Sequence, residues 1–469
     1  MFKEIIKDRE FLQKTLCIAA PVTLQSALNM ITNFIDTLMV GSLGETAIAG
    51  VGLANKVFFV YILLVFGICS GISILASQYW GNHDVPNIRR VLGIGLVIAL
   101  SGAFLFTFSA LMNPEGLMGL FTSESGIISA GTRYLQIVCI SYPLIGIINT
   151  TVAALRATEV AKPAVVNSAV AIVVNVILNY ILIFGKLGLP AMGVAGAAVA
   201  TVAARAVEVI CTLISIKRYR TALDCPLKET FSVNFSLLIQ FFSTSLPVVL
   251  NEFLWGLGIT LYSAVYGRMG ETAAAAMTIA NTYMDIEVIG FQGLSTATLV
   301  ILGNELGAGR LGDAERHSRY FFRLAFLVSI VTSILTFLLI RPFTGLFTIE
   351  QETAETVRRV LRIFAVSIFA RAQNNIILVG VLRSGGDTRM CALLDLSGVW
   401  LMGVPLAYLT GLVMKLPVYL VFAATELEEL VKMLLGFQRC GKKVWVRNLA
   451  EELKNIETSD KNTGIRKKR

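Results

Sequence analysis

Gly41-Ser42-Leu43-Gly44-Glu45-Thr46-Ala47 returns 226 residues later as Gly267-Arg268-Met269-Gly270-Glu271-Thr272-Ala273. The same offset carries Pro21-Val22 onto Pro247-Val248, Ala54-Asn55 onto Ala280-Asn281 and Gly81 onto Gly307. With one residue of shift, Leu155-Arg156 returns as Leu382-Arg383. Chance matching in Gly- and Ala-rich sequence does not hold one register from Pro21 to Arg156. The chain is therefore read as two copies of one unit.

Composition says what kind of unit this is. Of 469 residues, 55 % are apolar and only 15 % charged, against about 25 % charge in a soluble domain. Mean hydropathy is +0.72. A transmembrane helix takes roughly 20 mostly apolar residues, and the apolar windows mark twelve spans: 15–40, 46–79, 91–112, 126–154, 163–184, 191–216, 236–266, 272–304, 319–340, 356–382, 390–413 and 416–437. The expected fold is an all-α polytopic membrane protein of two six-helix bundles. Six spans per copy make both copies enter the membrane in the same direction, a parallel repeat about an axis along the membrane normal. The organisation reads as residues 1–14, a first lobe over 15–216, a linker over 217–235, a second lobe over 236–437 and a basic tail over 438–469. The first apolar run is too long for a signal-peptide core and is expected to remain as a helix.

A net charge of +9 would suit a nucleic-acid binder, but its placement excludes that partner. Most Lys and Arg lie in the N-terminal segment, the loops following even-numbered spans and the tail, whereas the opposite loops hold four (Lys186, Arg268, Arg341 and Lys415). This asymmetry puts both termini in the cytoplasm, with Arg466-Lys467-Lys468-Arg469 near lipid headgroups. The seven cysteines show no metal or disulfide spacing and read as packing residues. His83 and His317 fall in expected loops and receive no role.

A charge at mid-membrane costs about 2.5–3.5 kcal/mol on insertion scales, so such residues mark polar pathways. Asp36 stands in the first span, with Asn29, Thr32 and Asn33 at helical spacing before it. Pro21 in the same helix permits a bend. Asn175 and Asn179 are spaced i, i+4 in span five, and Thr201 lies in span six. One carboxylate among amide and hydroxyl oxygens could hold Na⁺ or a proton; a structural hydrogen-bond cluster is the bland alternative. In the second half the position of Asp36 is taken by Tyr262. Glu252, Asp285, Glu287, Arg371 and Asp395 lie in later spans, and Glu426, Glu428, Glu429 and Lys432 in span twelve. Glu428 and Lys432, at i, i+4, read as an internal pair; Glu252 reads as unpaired and the better functional candidate.

No P-loop, H-E-x-x-H or dinucleotide motif is present. Transport driven by an ion gradient leads over enzymatic chemistry, with no cofactor expected beyond the coupling ion. The chain resembles the MATE (multidrug and toxic compound extrusion) family of the MOP flippase superfamily. The resemblance is carried by Pro21, by Asp36-Thr37-Leu38-Met39-Val40-Gly41-Ser42-Leu43-Gly44, by Leu155-Arg156 through Lys162-Pro163, by Asn175 through Gly185, and by Gly193 through Thr201. In the second half it continues in Gly303-Asn304-Glu305-Leu306-Gly307-Ala308-Gly309 and Leu382-Arg383-Ser384-Gly385-Gly386-Asp387-Thr388. It implies two bundles around an alternately opening cavity, and export of organic cations and drugs by a monomer in the plasma membrane in exchange for Na⁺ or H⁺. It implies the coupling site at Asp36, Asn175, Asn179 and Thr201, the same four serving as Na⁺ ligands if Na⁺ is the ion. An acid carried in the tenth helix by some members is absent here, its position falling near Ala372. Asn33, Glu252, Tyr262, Asp285, Glu287 and Asp395 are the cavity and second-lobe candidates. The alternatives are a flippase for lipid-linked or other amphipathic substrates and another six-plus-six transporter.

Overall fold

A computed structural model describes residues 3–232, 234–347 and 349–455. The end of the basic tail, including Arg466-Lys467-Lys468-Arg469, lies outside the described residues. No strand occurs among the described residues, which form helices joined by short turns. This is the expected outcome in lipid, where each backbone polar group must be satisfied inside its own segment. The helices are α1 (Lys3–Lys7), α2 (Arg9–Gly41), α3 (Glu45–Gly81), α4 (Val85–Met112), α5 (Pro114–Gly119), α6 (Ser125–Val138), α7 (Ser141–Ala157), α8 (Lys162–Phe184) and α9 (Val194–Arg218). They continue as α10 (Leu227–Thr230), α11 (Phe235–Arg268), α12 (Glu271–Gly307), α13 (Leu311–Thr344), α14 (Gln351–Asn374), α15 (Thr388–Ser397), α16 (Val404–Tyr408), α17 (Val418–Thr425) and α18 (Leu427–Gly441).

The repeated heptapeptide is a helix-to-helix turn. Gly44 and Gly270 take φ of 107° and 113°, a region open to glycine at little cost, and Glu45 and Glu271 each open the next helix with an acid where the helix dipole favours one. The repeat thus conserves a turn geometry along with its letters. Elsewhere the ends are capped locally. The Asp84 side chain accepts from the Asn87 amide at 3.3 Å, and the Asn113 side chain from Gly116 at 3.0 Å.

Among the described residues ten helices are long and apolar enough to cross a membrane, and eleven if α6 and α7, bent by 53° at their junction, count as one span. The expected twelfth span, 416–437, is α17 and α18, and it is interrupted by Glu426, Glu428, Glu429 and Lys432. The tenth and eleventh expected spans contain π-helical turns at Asn375–Leu382, Gly398–Gly403 and Leu409–Val413, insertions that recur at functional sites. Outward-facing apolar residues such as Phe104, Leu105 and Phe108 on α4 are exposed, as a lipid-facing surface requires.

Two compact units emerge. The amino-terminal unit comprises 20–80 and 84–245; the carboxy-terminal unit comprises 3–19, 81–83 and 246–455. The core of the first includes the stacked rings of Tyr61 and Tyr142, with the Tyr61 hydroxyl donating to the Tyr142 carbonyl at 3.0 Å. The core of the second is built on Tyr262, Met277, Phe364 and Phe422. Gly93 on α4 lets α10 approach so closely that a Cβ there would lie 1.9 Å from the Thr230 carbonyl oxygen. Gly93→Ala is therefore expected to cost about 1–3 kcal/mol, read as a lowered thermal midpoint of the purified protein.

Candidate functional site

In the amino-terminal unit α2 supplies Asp36, α8 supplies Asn175 and Asn179 one turn apart, and α9 supplies Thr201. The Asn179 amide nitrogen donates to Asp36 Oδ1 at 2.6 Å and also to Asn175 Oδ1 at 3.2 Å. Asn175 and Asn179 are 4 % and 1 % exposed, while Asp36 is half-buried. The Asn179 Oδ1 is buried with no partner. A buried carbonyl oxygen without a donor is costly and is a natural ligand for a cation or a water. Thr201 donates to its own helix at the Ala197 carbonyl, 3.0 Å away. The stripe expected on α2 is split: Thr32 is buried and donates to Leu28, while Asn29 and Asn33 are exposed.

The polar path continues beyond these residues. Ser168 on α8 donates to Glu208 on α9 at 2.7 Å, and Arg205 pairs with Glu208 at 2.6 Å. Gln25 on α2 donates to Ser168 at 2.8 Å and accepts from Arg156 at 2.5 Å. The reading of this half as Asp36 among neutral amides is thus corrected: it also buries Glu208, 2 % exposed, beside the half-buried Arg156 and Arg205. The available signal was spacing, since Thr201, Arg205 and Glu208 follow one another at i+4 and i+3 on one face of α9.

The carboxy-terminal unit holds a denser cluster. Tyr262, at the position repeating Asp36, donates its hydroxyl to Glu428 at 2.8 Å. Asp395 accepts from Asn251 at 3.0 Å and pairs with Lys432 at 3.3 Å. Lys432 also meets Glu429 at 2.8 Å and Glu428 at 3.6 Å, so the expected i, i+4 pair exists but is the longest of three contacts. Arg371 forms an ion pair with Glu426. Glu252 is not unpaired: Arg383 donates to it at 3.1 Å. The reason is the repeat itself, which places Arg383 against α11 as it places Arg156 against α2. Asp285 is exposed and stands outside the cluster. Glu287 is half-buried, with one carboxylate oxygen buried and without a hydrogen-bond partner. Among the described residues no group of three or more His, Cys, Asp or Glu side chains is arranged to hold a metal ion.

The MatE family profile matches the chain twice, over residues 21–181 and 247–409, and its two matches begin at the same 226-residue offset as the internal repeat. The chain belongs to the MatE family. MatE proteins are transporters, not enzymes. Among relatives, the chain is 23 % identical over 436 residues to the uncharacterized transporter YisQ of Bacillus subtilis, covering 91 % of this chain and 93 % of that one. It is 24 % identical over 402 residues to the probable multidrug resistance protein NorM of Thermotoga maritima, covering 85 % of each. A MATE protein solved in a bent conformation superposes with a TM-score of 0.83 at 21 % identity, over 96 % of this chain and 97 % of that one. The multi-pass helical membrane fold is that of the MatE family.

Proposed function

We propose that this MatE chain is a plasma-membrane exporter of organic cations, drugs among them, that exchanges each for Na⁺ or H⁺ by alternating access, with Asp36 as the coupling carboxylate. The observation that carries this reading is the Asp36–Asn179–Asn175 cluster with its unpartnered Asn179 oxygen. Such a group of hard oxygen donors, completed by Thr201, suits Na⁺, and the carboxylate alone can take a proton instead. The name of the Thermotoga relative supports drug efflux. In this reading α17 and α18 form a twelfth span, both termini are cytoplasmic, and the protein works as a monomer.

Occupation of Asp36 removes one negative charge from the amino-terminal unit. The ion favours whichever conformation binds it better, and Pro21, which leaves α2 short of one backbone hydrogen bond, is where that helix can bend. The fold is shared with a protein solved in a bent conformation, which is consistent with such a bend. The test is accumulation of a fluorescent organic cation in inverted vesicles, driven by an imposed Na⁺ gradient in one arm and a pH gradient in the other. Accumulation above protein-free vesicles is expected in one arm; none in either arm would overturn the reading.

A further inference from the structure

The units divide α2 and α11 in the same way. Residues 3–19 belong to the carboxy-terminal unit and α2 from Ala20 onward to the amino-terminal one; α11 changes unit between Ser245 and Leu246. Each change falls just before the repeated proline, Pro21 or Pro247. Each unit is therefore strapped by the opening residues of a helix that continues in the other. The repeat relates the two straps, since Asp8 plus 226 is Asn234.

The straps are held by different chemistry. In the amino-terminal unit the Tyr79 hydroxyl donates to Gln240 at 2.6 Å. In the carboxy-terminal unit the clasp is a histidine. His317, which the sequence placed in a solvated loop, is 8 % exposed within α13. Its Nδ1 lies 2.5 Å from Glu305 Oε1 and its Nε2 lies 3.3 Å from Asp8 Oδ2. Phe11 of the strap stacks on the imidazole at 4.7 Å, and Tyr320 lies against it at 5.6 Å.

A neutral imidazole carries one N–H and can donate to one carboxylate; its other nitrogen then turns a lone pair toward the second. Both contacts are satisfied at once only when the ring holds two protons. Glu305 is nearly sealed from solvent, and its second oxygen is buried without a partner. Asp8 is the more open end, so it is the contact that fails when a proton leaves. Arg316 lies 3.5 Å from His317 Nε2 and 4.0 Å from Asp8, opposing a second positive charge, but it is itself engaged by Asp313 at 3.1 Å. Glu4 pairs with Arg323 and Glu315 with Lys443, each at the periphery. Burial pushes the Asp8 carboxyl up, but the Phe11 amide, His317 and Arg316 outweigh it and hold the carboxyl below its usual range.

We propose that Glu305, His317 and Asp8 form a proton-binding site that ties residues 3–19 to the carboxy-terminal unit, and that loss of the proton frees the start of α2 as far as Pro21. The site is separate from Asp36 and exists on one strap of the two.

Hydrogen exchange on the full-length protein in lipid nanodiscs tests this without reference to transport. After correction for intrinsic exchange, protection of residues 3–12 should fall about tenfold or more from about pH 6 to about pH 9, the window in which an imidazole loses its proton and a loss of the size expected for one charge-assisted hydrogen bond. Residues 235–245, on the strap without a histidine, should not change. His317→Gln should abolish the pH dependence. Should that variant fail to fold, Asp8→Asn, altered at the more open end, should abolish it as well. Flat protection in the unmodified protein, or pH dependence that survives in a folded variant, overturns the proposal.

Discussion

Asp36→Asn is expected to remove gradient-driven export of a fluorescent organic cation while leaving the protein folded and inserted. The substitution is nearly isosteric, and its side-chain oxygen can still accept the Asn179 hydrogen bond that Asp36 accepts at 2.6 Å. Packing against α8 should therefore persist, with the thermal midpoint nearly unchanged. What is lost is the charge. A ligand moves a conformational equilibrium only by its differential affinity for the two states, and each 1.4 kcal/mol of that difference is a factor of about ten. Without a carboxylate, neither a proton nor Na⁺ has that differential at this site, so coupled export should fall at least about tenfold. Asn179→Leu is the companion variant. It keeps the charge but removes both the donor to Asp36 and the unpartnered oxygen, and it should weaken ion dependence more than it lowers the maximal rate. Wild-type export by Asp36→Asn would move the coupling role to another group.

How far the sequence reaches depends on the range over which each signal is written. The duplicated unit is legible because its turns demand particular residues. Gly44 and Gly270 repeat since both adopt positive φ, and Glu45 and Glu271 repeat since both open a helix. Asp36, Asn175 and Asn179 are legible because a carboxylate and two amides one turn apart are expensive inside apolar helices. Partners distant along the chain are not legible. Glu252 looked unpaired because its arginine lies 131 residues away, although the repeat held a clue in Arg156, which reaches Gln25 at the same separation. Glu208 is not legible either, because an i, i+3 pair with Arg205 resembles a solvated helix face. His317 reads as a loop residue because the polar opening turns of α13 resemble one; only the packing of Asp8, Phe11 and Glu305 around it shows that it is enclosed.

Two ion pairs of the same spacing and opposite order set the second large effect. Arg205 and Glu208 pair at i, i+3 on α9 at 2.6 Å; 224 residues later Glu429 and Lys432 pair at i, i+3 on α18 at 2.8 Å with the signs exchanged. Their surroundings differ. Glu208 keeps a second partner in Ser168, and the Arg205 side chain is 33 % exposed, so Arg205→Met leaves a carboxylate that is still hydrogen-bonded and near water. Lys432 is enclosed by Asp395, Glu428 and Glu429, and Tyr262 supplies only a hydroxyl to Glu428. Removing a cation from a buried ion cluster leaves uncompensated charge and typically costs about 3–5 kcal/mol. Lys432→Met should therefore lower the thermal midpoint far more than Arg205→Met, or abolish recovery of monodisperse protein. The cost should be electrostatic, because methionine fills most of the lysine's volume. Neutralising two of the stranded acids in the same chain, as Lys432→Met with Asp395→Asn and Glu428→Gln, should then restore most of the lost stability. If the triple variant is no more stable than Lys432→Met alone, packing of the lysine stem against Gly398, whose added Cβ would meet the Lys432 Cδ at 2.7 Å, is the larger contribution.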